Sequence, residues 1–147
     1  MKLFSLVWGI RGLMPLSEAS AAPASEPRIL VVEDEPLIRF AIAEALRELD
    51  VCVVEAATAD EAWGYLASGG QADLVFTDHL MPGSMTGGQL AVRISQQYPA
   101  LKVIVVSAYF NDRGWSGRVV RKPYKLQETA VELAELAAQS NRNRIER

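Results

Sequence analysis

Residues able to do chemistry recur at one kind of place in this chain, the end of a short apolar run. Glu33 and Asp34 follow Ile-Leu-Val-Val at residues 29–32, Asp78 closes Leu-Val-Phe-Thr, Ser107 closes Val-Ile-Val-Val, and Lys122 follows Arg-Val-Val-Arg. Apolar runs of this length without polar alternation, bounded by turn formers, fit strands buried in a parallel sheet. The carboxyl ends of such strands share one rim, and ligands bind there where the strand order switches. Carboxylates gathered at one rim repel each other unless they share protons or a cation. The donors are oxygens, and His79 has no second nitrogen or sulfur ligand with which to hold zinc, so a hard divalent cation, Mg²⁺, is the expected guest. A carboxylate beside Mg²⁺, with an ammonium and a hydroxyl opposite, is suited to accepting a phosphoryl group. In that chemistry Asp78 is the nucleophile, Ser107 donates to a phosphoryl oxygen, Lys122 supplies positive charge and the small Ala108 leaves room.

Elements that would position these residues alternate along the chain. A strand at 29–32 precedes a helix opened by Pro36, on which Leu37, Ile38, Ala41, Ile42, Ala45, Leu46 and Leu49 recur at three and four. A strand at 51–55 follows, and Thr58 with Glu61 forms a capping box for a helix to about Ala67, closed by Gly69 and Gly70. After the strand that ends at Asp78, a turn-rich loop at 83–88 leads to a helix at 89–97 stopped by Pro99. Strands at 102–106 and 118–121 precede a last helix at 126–139. The fold class is α/β, a parallel sheet covered on both faces. Residues 109–117 are too few for the dozen or so that a crossover helix takes, so the helix between the last two strands is expected to be reduced to a turn or absent.

With 147 residues, half of them apolar, the chain has one domain's worth of core. Its net charge of −3, from 15 basic and 18 acidic residues with no basic stripe, gives no reason to expect nucleic acid as a direct partner. The single cysteine, Cys52, lies in an apolar run and is expected to be a small core residue. Lys2, the apolar run 3–10 and the alanines at 19–24 loosely imitate a secretory signal, but Arg11 and Gly12 interrupt the run, which is too short to span a bilayer. Residues 1–27 are therefore expected to be a disordered leader or a misplaced start at which Met14 opens the protein. The domain is expected at 28–140, and 141–147 is expected to be a frayed polar tail.

From Ile-Leu-Val-Val-Glu-Asp-Glu at 29–35, through Thr-Asp-His-Leu-Met-Pro-Gly at 77–83 and Val-Ser-Ala at 106–108, to Lys-Pro-Tyr at 122–124, the chain resembles the CheY-like receiver domain of two-component response regulators. Each motif is weak alone; four in order at strand ends are specific, and the match spans about 28–139. The resemblance implies a (βα)5 doubly wound fold with five parallel strands in the order 2-1-3-4-5. It implies phosphorylation of Asp78 by a phosphohistidine on a histidine kinase or a histidine phosphotransfer protein, with Ser107, Lys122 and the backbones of His79 and Ala108 contacting the phosphoryl group. It also implies Mg²⁺ held by Asp34, Asp78 and the carbonyl of Leu80, with Glu33 acting mainly through water, and a cis Lys122-Pro123 peptide.

Departures from the family's pattern are expected to matter. Val119 stands where a switching aromatic is usual, the missing crossover helix removes part of the family's usual signalling face, and Ser84, Met85 and Thr86 lengthen the turn after Met81-Pro82-Gly83. The expectation is a stand-alone cytoplasmic phosphoacceptor rather than an enzyme, signalling by docking to an unknown downstream protein, with no membrane contact. One alternative is a degenerate receiver serving as an unphosphorylated binding module. Another, a phosphatase of the haloacid dehalogenase type, wants a second acid where Leu80 stands. His79 is expected to face solvent, Trp63 to be partly buried, and Trp115 either to cover the site or to dock a partner.

Overall fold

The computed structural model describes residues 25–109 and 115–147. Five strands, β1 (Arg28–Val32), β2 (Cys52–Ala56), β3 (Leu74–Asp78), β4 (Lys102–Ser107) and β5 (Arg118–Arg121), form one parallel sheet in the order β2-β1-β3-β4-β5. Helices α1 (Pro36–Arg47), α2 (Ala59–Ala67), α3 (Gly87–Gln97) and α4 (Leu126–Ile145) are the four among the described residues. Alternation of inward positions along the strands sends Ile29, Val31, Phe76 and Ile104 into one core under α1 and α4, and Leu30, Val32, Val75 and Val105 into another under α2 and α3. The expected doubly wound (βα)5 class and the strand order are both present, and among the described residues no helix lies between β4 and β5. Ala108, Tyr109 and the residues from Trp115 to β5 are non-helical, and residues 110–114 lie outside the described residues. Trp115 is partly buried and packs on the α2–α3 core, so its indole covers that core between β4 and β5 rather than covering the site. Trp63 is partly buried as expected, with the Arg93 guanidinium 3.9 Å over its ring.

Three local differences from the expected elements have identifiable causes. Helix α3 starts at Gly87, not 89, because Thr86 and Gln89 form the reciprocal capping box: Gln89 N–H donates to Thr86 Oγ1 at 3.1 Å and Thr86 N–H to Gln89 Oε1 at 2.9 Å. At the start of α2, Thr58 Oγ1 accepts from Glu61 N–H at 3.0 Å, but the Glu61 carboxylate accepts from Ala57 N–H rather than closing the box on Thr58. Leu37, expected on the buried face of α1, is 84 % exposed, while Ala43 is buried.

The expected frayed tail is a correction. Helix α4 continues to Ile145 because Asp73, buried just before β3, accepts from Asn141 Nδ2 at 3.1 Å and Arg144 Nε at 3.0 Å, as well as from the Arg28 amide at 2.8 Å. A buried carboxylate demands such donors, and the polar tail supplies them. The same side chains reach Ser25 Oγ, so the domain's described contacts begin before residue 28. Residues 1–24, most of the segment expected to be a disordered leader or a misplaced start, lie outside the described residues.

Candidate functional site

Parallel strands with a common direction bring Val32, Asp78, Ser107 and Arg121 to the same edge, and the reversal of strand order between β1 and β3 opens a crevice there. A cavity of about 330 Å³ occupies it, with Glu33, Asp34, Asp78, Ser107 and Lys122 in its wall together with Leu80 and Ala108. Carboxylate oxygens of Glu33, Asp34 and Asp78 all lie within 4.8 Å of one another. Lys122 Nζ is 3.1 Å from Asp78 Oδ1, and the His79 amide donates to the same oxygen at 2.9 Å. Every side chain expected at the site from the sequence is therefore gathered at one rim, and the Lys122-Pro123 peptide is cis.

Local backbone explains how the carboxylates are aimed. Thr77, fully buried, donates its hydroxyl to the Asp78 carbonyl at 2.9 Å, and the His79 amide also bonds the Val106 carbonyl at 2.9 Å, tying the end of β3 to β4. Arg39 Nη1 donates to the Glu33 carbonyl at 2.8 Å, and its Nε is 3.4 Å from Glu55, so α1 fixes the turn after β1. Gly87 lies against the same place: a Cβ there would be 1.7 Å from the Asp78 carbonyl oxygen. Only glycine permits so close an approach. Lys122 is placed by its own amide, which donates to the Ser107 carbonyl at 3.1 Å, and Ser107 Oγ accepts from the Tyr109 amide at 3.1 Å.

Electrostatics show a site short of positive charge. Glu33 is buried and its carboxyl is pushed up to about 7, first by burial and then by the negative charge of Asp78, against the opposing pull of Lys122. One lysine does not balance three acids. This oxygen-only cluster fits a hard divalent cation, which would be held by Asp34 and Asp78, with Glu33 behind them.

Some features were missed from the sequence. Tyr124 lies beneath the site against Glu33, Asp78 and Lys122, its ring edge-on to Phe76 at 5.9 Å, and its hydroxyl is pushed up to about 12 by burial and then by the two acids. In the sequence its only signal is its place just after Lys122-Pro123. Glu35 also reaches the cavity wall. His79 corrects an expectation: it is half-buried, and its Nδ1 accepts from the Gly88 amide at 3.2 Å, at the start of α3, instead of facing solvent.

The fold and site together define a class, a doubly wound α/β domain whose strand ends hold a cluster of three carboxylates beside a lysine and a serine. The family model for the response regulator receiver domain matches residues 29–114, and the chain belongs to that family. Over 125 residues, 80 % of this chain, it is 34 % identical to the DNA-binding transcriptional regulator NtrC of Azospirillum brasilense, covering 25 % of that protein. Over 85 residues, 57 % of this chain, it is 36 % identical to the sensor kinase CckA of Brucella abortus (strain 2308), covering 9 % of it. The chain thus spans a quarter or less of the length of these curated relatives. Among solved structures, the response regulator TrrA of Thermotoga maritima in complex with Mg²⁺-BeF is similar at a TM-score of 0.66 and 33 % identity, over 74 % of this chain and 97 % of that one. No helix among the described residues is long and apolar enough to cross a membrane.

Proposed function

We propose that this receiver accepts a phosphoryl group on Asp78 from the phosphohistidine of a histidine kinase or phosphotransfer protein, in the cytoplasm, and signals by docking to a further protein. The observation that carries this reading is the convergence of Asp78 with two other carboxylates within 4.8 Å, a lysine at 3.1 Å and Ser107 on one cavity. An Asp78 carboxylate oxygen attacks phosphorus while the bond from phosphorus to the imidazole nitrogen breaks and the imidazole departs. Lys122 and the Ser107 hydroxyl, with the backbone amides of His79 and Ala108, hold the transferred oxygens. Asp34, Asp78 and the Leu80 carbonyl, with Glu33 through water, would hold Mg²⁺, which would supply charge neutralisation when bound. The transfer is to the protein itself, so the role is that of a phosphoacceptor rather than an enzyme with a separate substrate.

A docking face is available around the site. Leu80 at 69 % exposure and Tyr109 at 89 % exposure place large side chains on its wall, and Leu37 and Phe40 are exposed on α1. Intact mass after incubation with acetyl phosphate tests the chemistry. A Mg²⁺-dependent phosphoryl adduct is expected in the wild type and none in Asp78→Ala. A folded wild type that neither binds Mg²⁺ nor gains an adduct would instead be an unphosphorylated binding module.

A further inference from the structure

The loop between β3 and α3, lengthened by Ser84, Met85 and Thr86, carries Leu80 and is fastened at two levels. At its base the Gly87 amide donates to the His79 carbonyl at 2.7 Å. At its tip, Asp60 in the first turn of α2 accepts from the Ser84 amide at 3.1 Å and from the Ser84 hydroxyl. Gly83 makes that seat possible: its φ is +123°, and a Cβ there would sit 2.7 Å from Asp60 Oδ2. Met81 and Met85 pack on the α2–α3 core on either side of the fastened tip. A stretch of backbone that is exposed at Pro82, Gly83 and Ser84 is thereby given one path over α2.

We infer that Asp60 is a positioning residue for the cation site: by clamping Ser84 it fixes the loop and presents the Leu80 carbonyl to the metal. This rests on the proposed Mg²⁺ site and adds to it a residue on another helix. The Ser84 hydroxyl and amide converge on the one carboxylate, and the Asp60 carboxyl is held below its ordinary value, most strongly by that hydroxyl. A carboxylate that only favoured the start of α2 would have no need of Ser84. Groups that orient metal ligands from behind typically change metal affinity by about tenfold or more when removed. Leu80 contributes its main chain, so no substitution of its own side chain tests that ligand. The clamp does.

The test is Mg²⁺ affinity by titration calorimetry on wild type, Asp60→Ala, Asp60→Asn, Ser84→Ala and the Asp60→Ala/Ser84→Ala double variant, with amide exchange followed across residues 80–86. Expected is about a tenfold weaker affinity for Asp60→Ala, a smaller loss for Asp60→Asn, which keeps one acceptor, and little further loss in the double variant over Asp60→Ala. Ser84→Ala leaves the start of α2 intact, so a loss there separates the clamp from destabilisation of the helix. Wild-type affinity in both Asp60→Ala and Ser84→Ala, even with faster exchange in the loop, would overturn the clamp alone. A wild type that binds no Mg²⁺ would overturn the metal reading and the clamp with it.

Discussion

Leu80 and Tyr109 stand on the wall of the cavity that holds Asp78, both largely exposed, and both bear on how long a phosphoryl group would survive. Neither a leucine nor the exposed ring of a tyrosine is placed to deprotonate water. Replacing Leu80 by asparagine adds an amide able to orient an attacking water. A hydrogen bond of about 1 kcal/mol made only in the transition state gives about a fivefold rate increase. Leu80→Asn is therefore expected to lose its phosphoryl group about fivefold faster, measured by the decay of the mass adduct after the donor is removed; unchanged decay would mean that water reaches the group by another side. Residue identities at this rim were legible in the sequence because each ends a strand. The half-buried ring of His79 was not, because its bond to the Gly88 amide depends on where α3 begins.

Among the elements, α4 departs furthest from what periodicity shows. Its apolar spacing fades after Leu136 and Ala137, and a polar segment follows, which by pattern alone reads as a tail. Asp73 changes that, since a buried carboxylate holds Asn141 and Arg144 and through them the last turns of the helix. Asp73→Ala would leave the Arg28 amide and the Asn141 side chain without this acceptor and release Arg144. The expected cost is about 2–3 kcal/mol, below that of a fully buried pair because Arg144 is partly exposed. Urea denaturation should show that loss, and amide exchange should rise first beyond Gln139. An unchanged midpoint would mean that the helix end is held by its own backbone bonds. The sequence showed Asp78, which ends β3, as chemistry and assigned Asp73, just before its start, no role, because a partner 68 residues away leaves no local signal.

For the molecule as a whole, the acidic cluster at the strand ends couples folding to pH. Glu33, with its folded pKa raised from 4.5 to about 7, binds a proton in the folded chain that the unfolded chain has already released between those values. Its contribution to stability is thus present in full below about pH 4.5 and is lost as pH rises through about 7. Mg²⁺ bound as proposed would compete with that proton, so its affinity is expected to rise with pH across the same region and the melting temperature gained from Mg²⁺ to be larger at pH 8 than at pH 6. Thermal melts at the two pH values, with and without Mg²⁺, check this; an equal gain at both would mean that Glu33 takes no part in binding the ion. The sequence by itself determined the alternation of strand and helix, the parallel class and the chemical kinds of the site residues, because apolar periodicity and strand-end polarity are local properties. Tertiary structure decided what depends on pairs remote in the chain: how close Gly87 comes to Asp78, the charge state of Glu33, the hold of Asp73 on α4 and of Asp60 on the loop. Desolvation and hydrogen-bond geometry set these, and both exist only once the sheet has brought distant residues together.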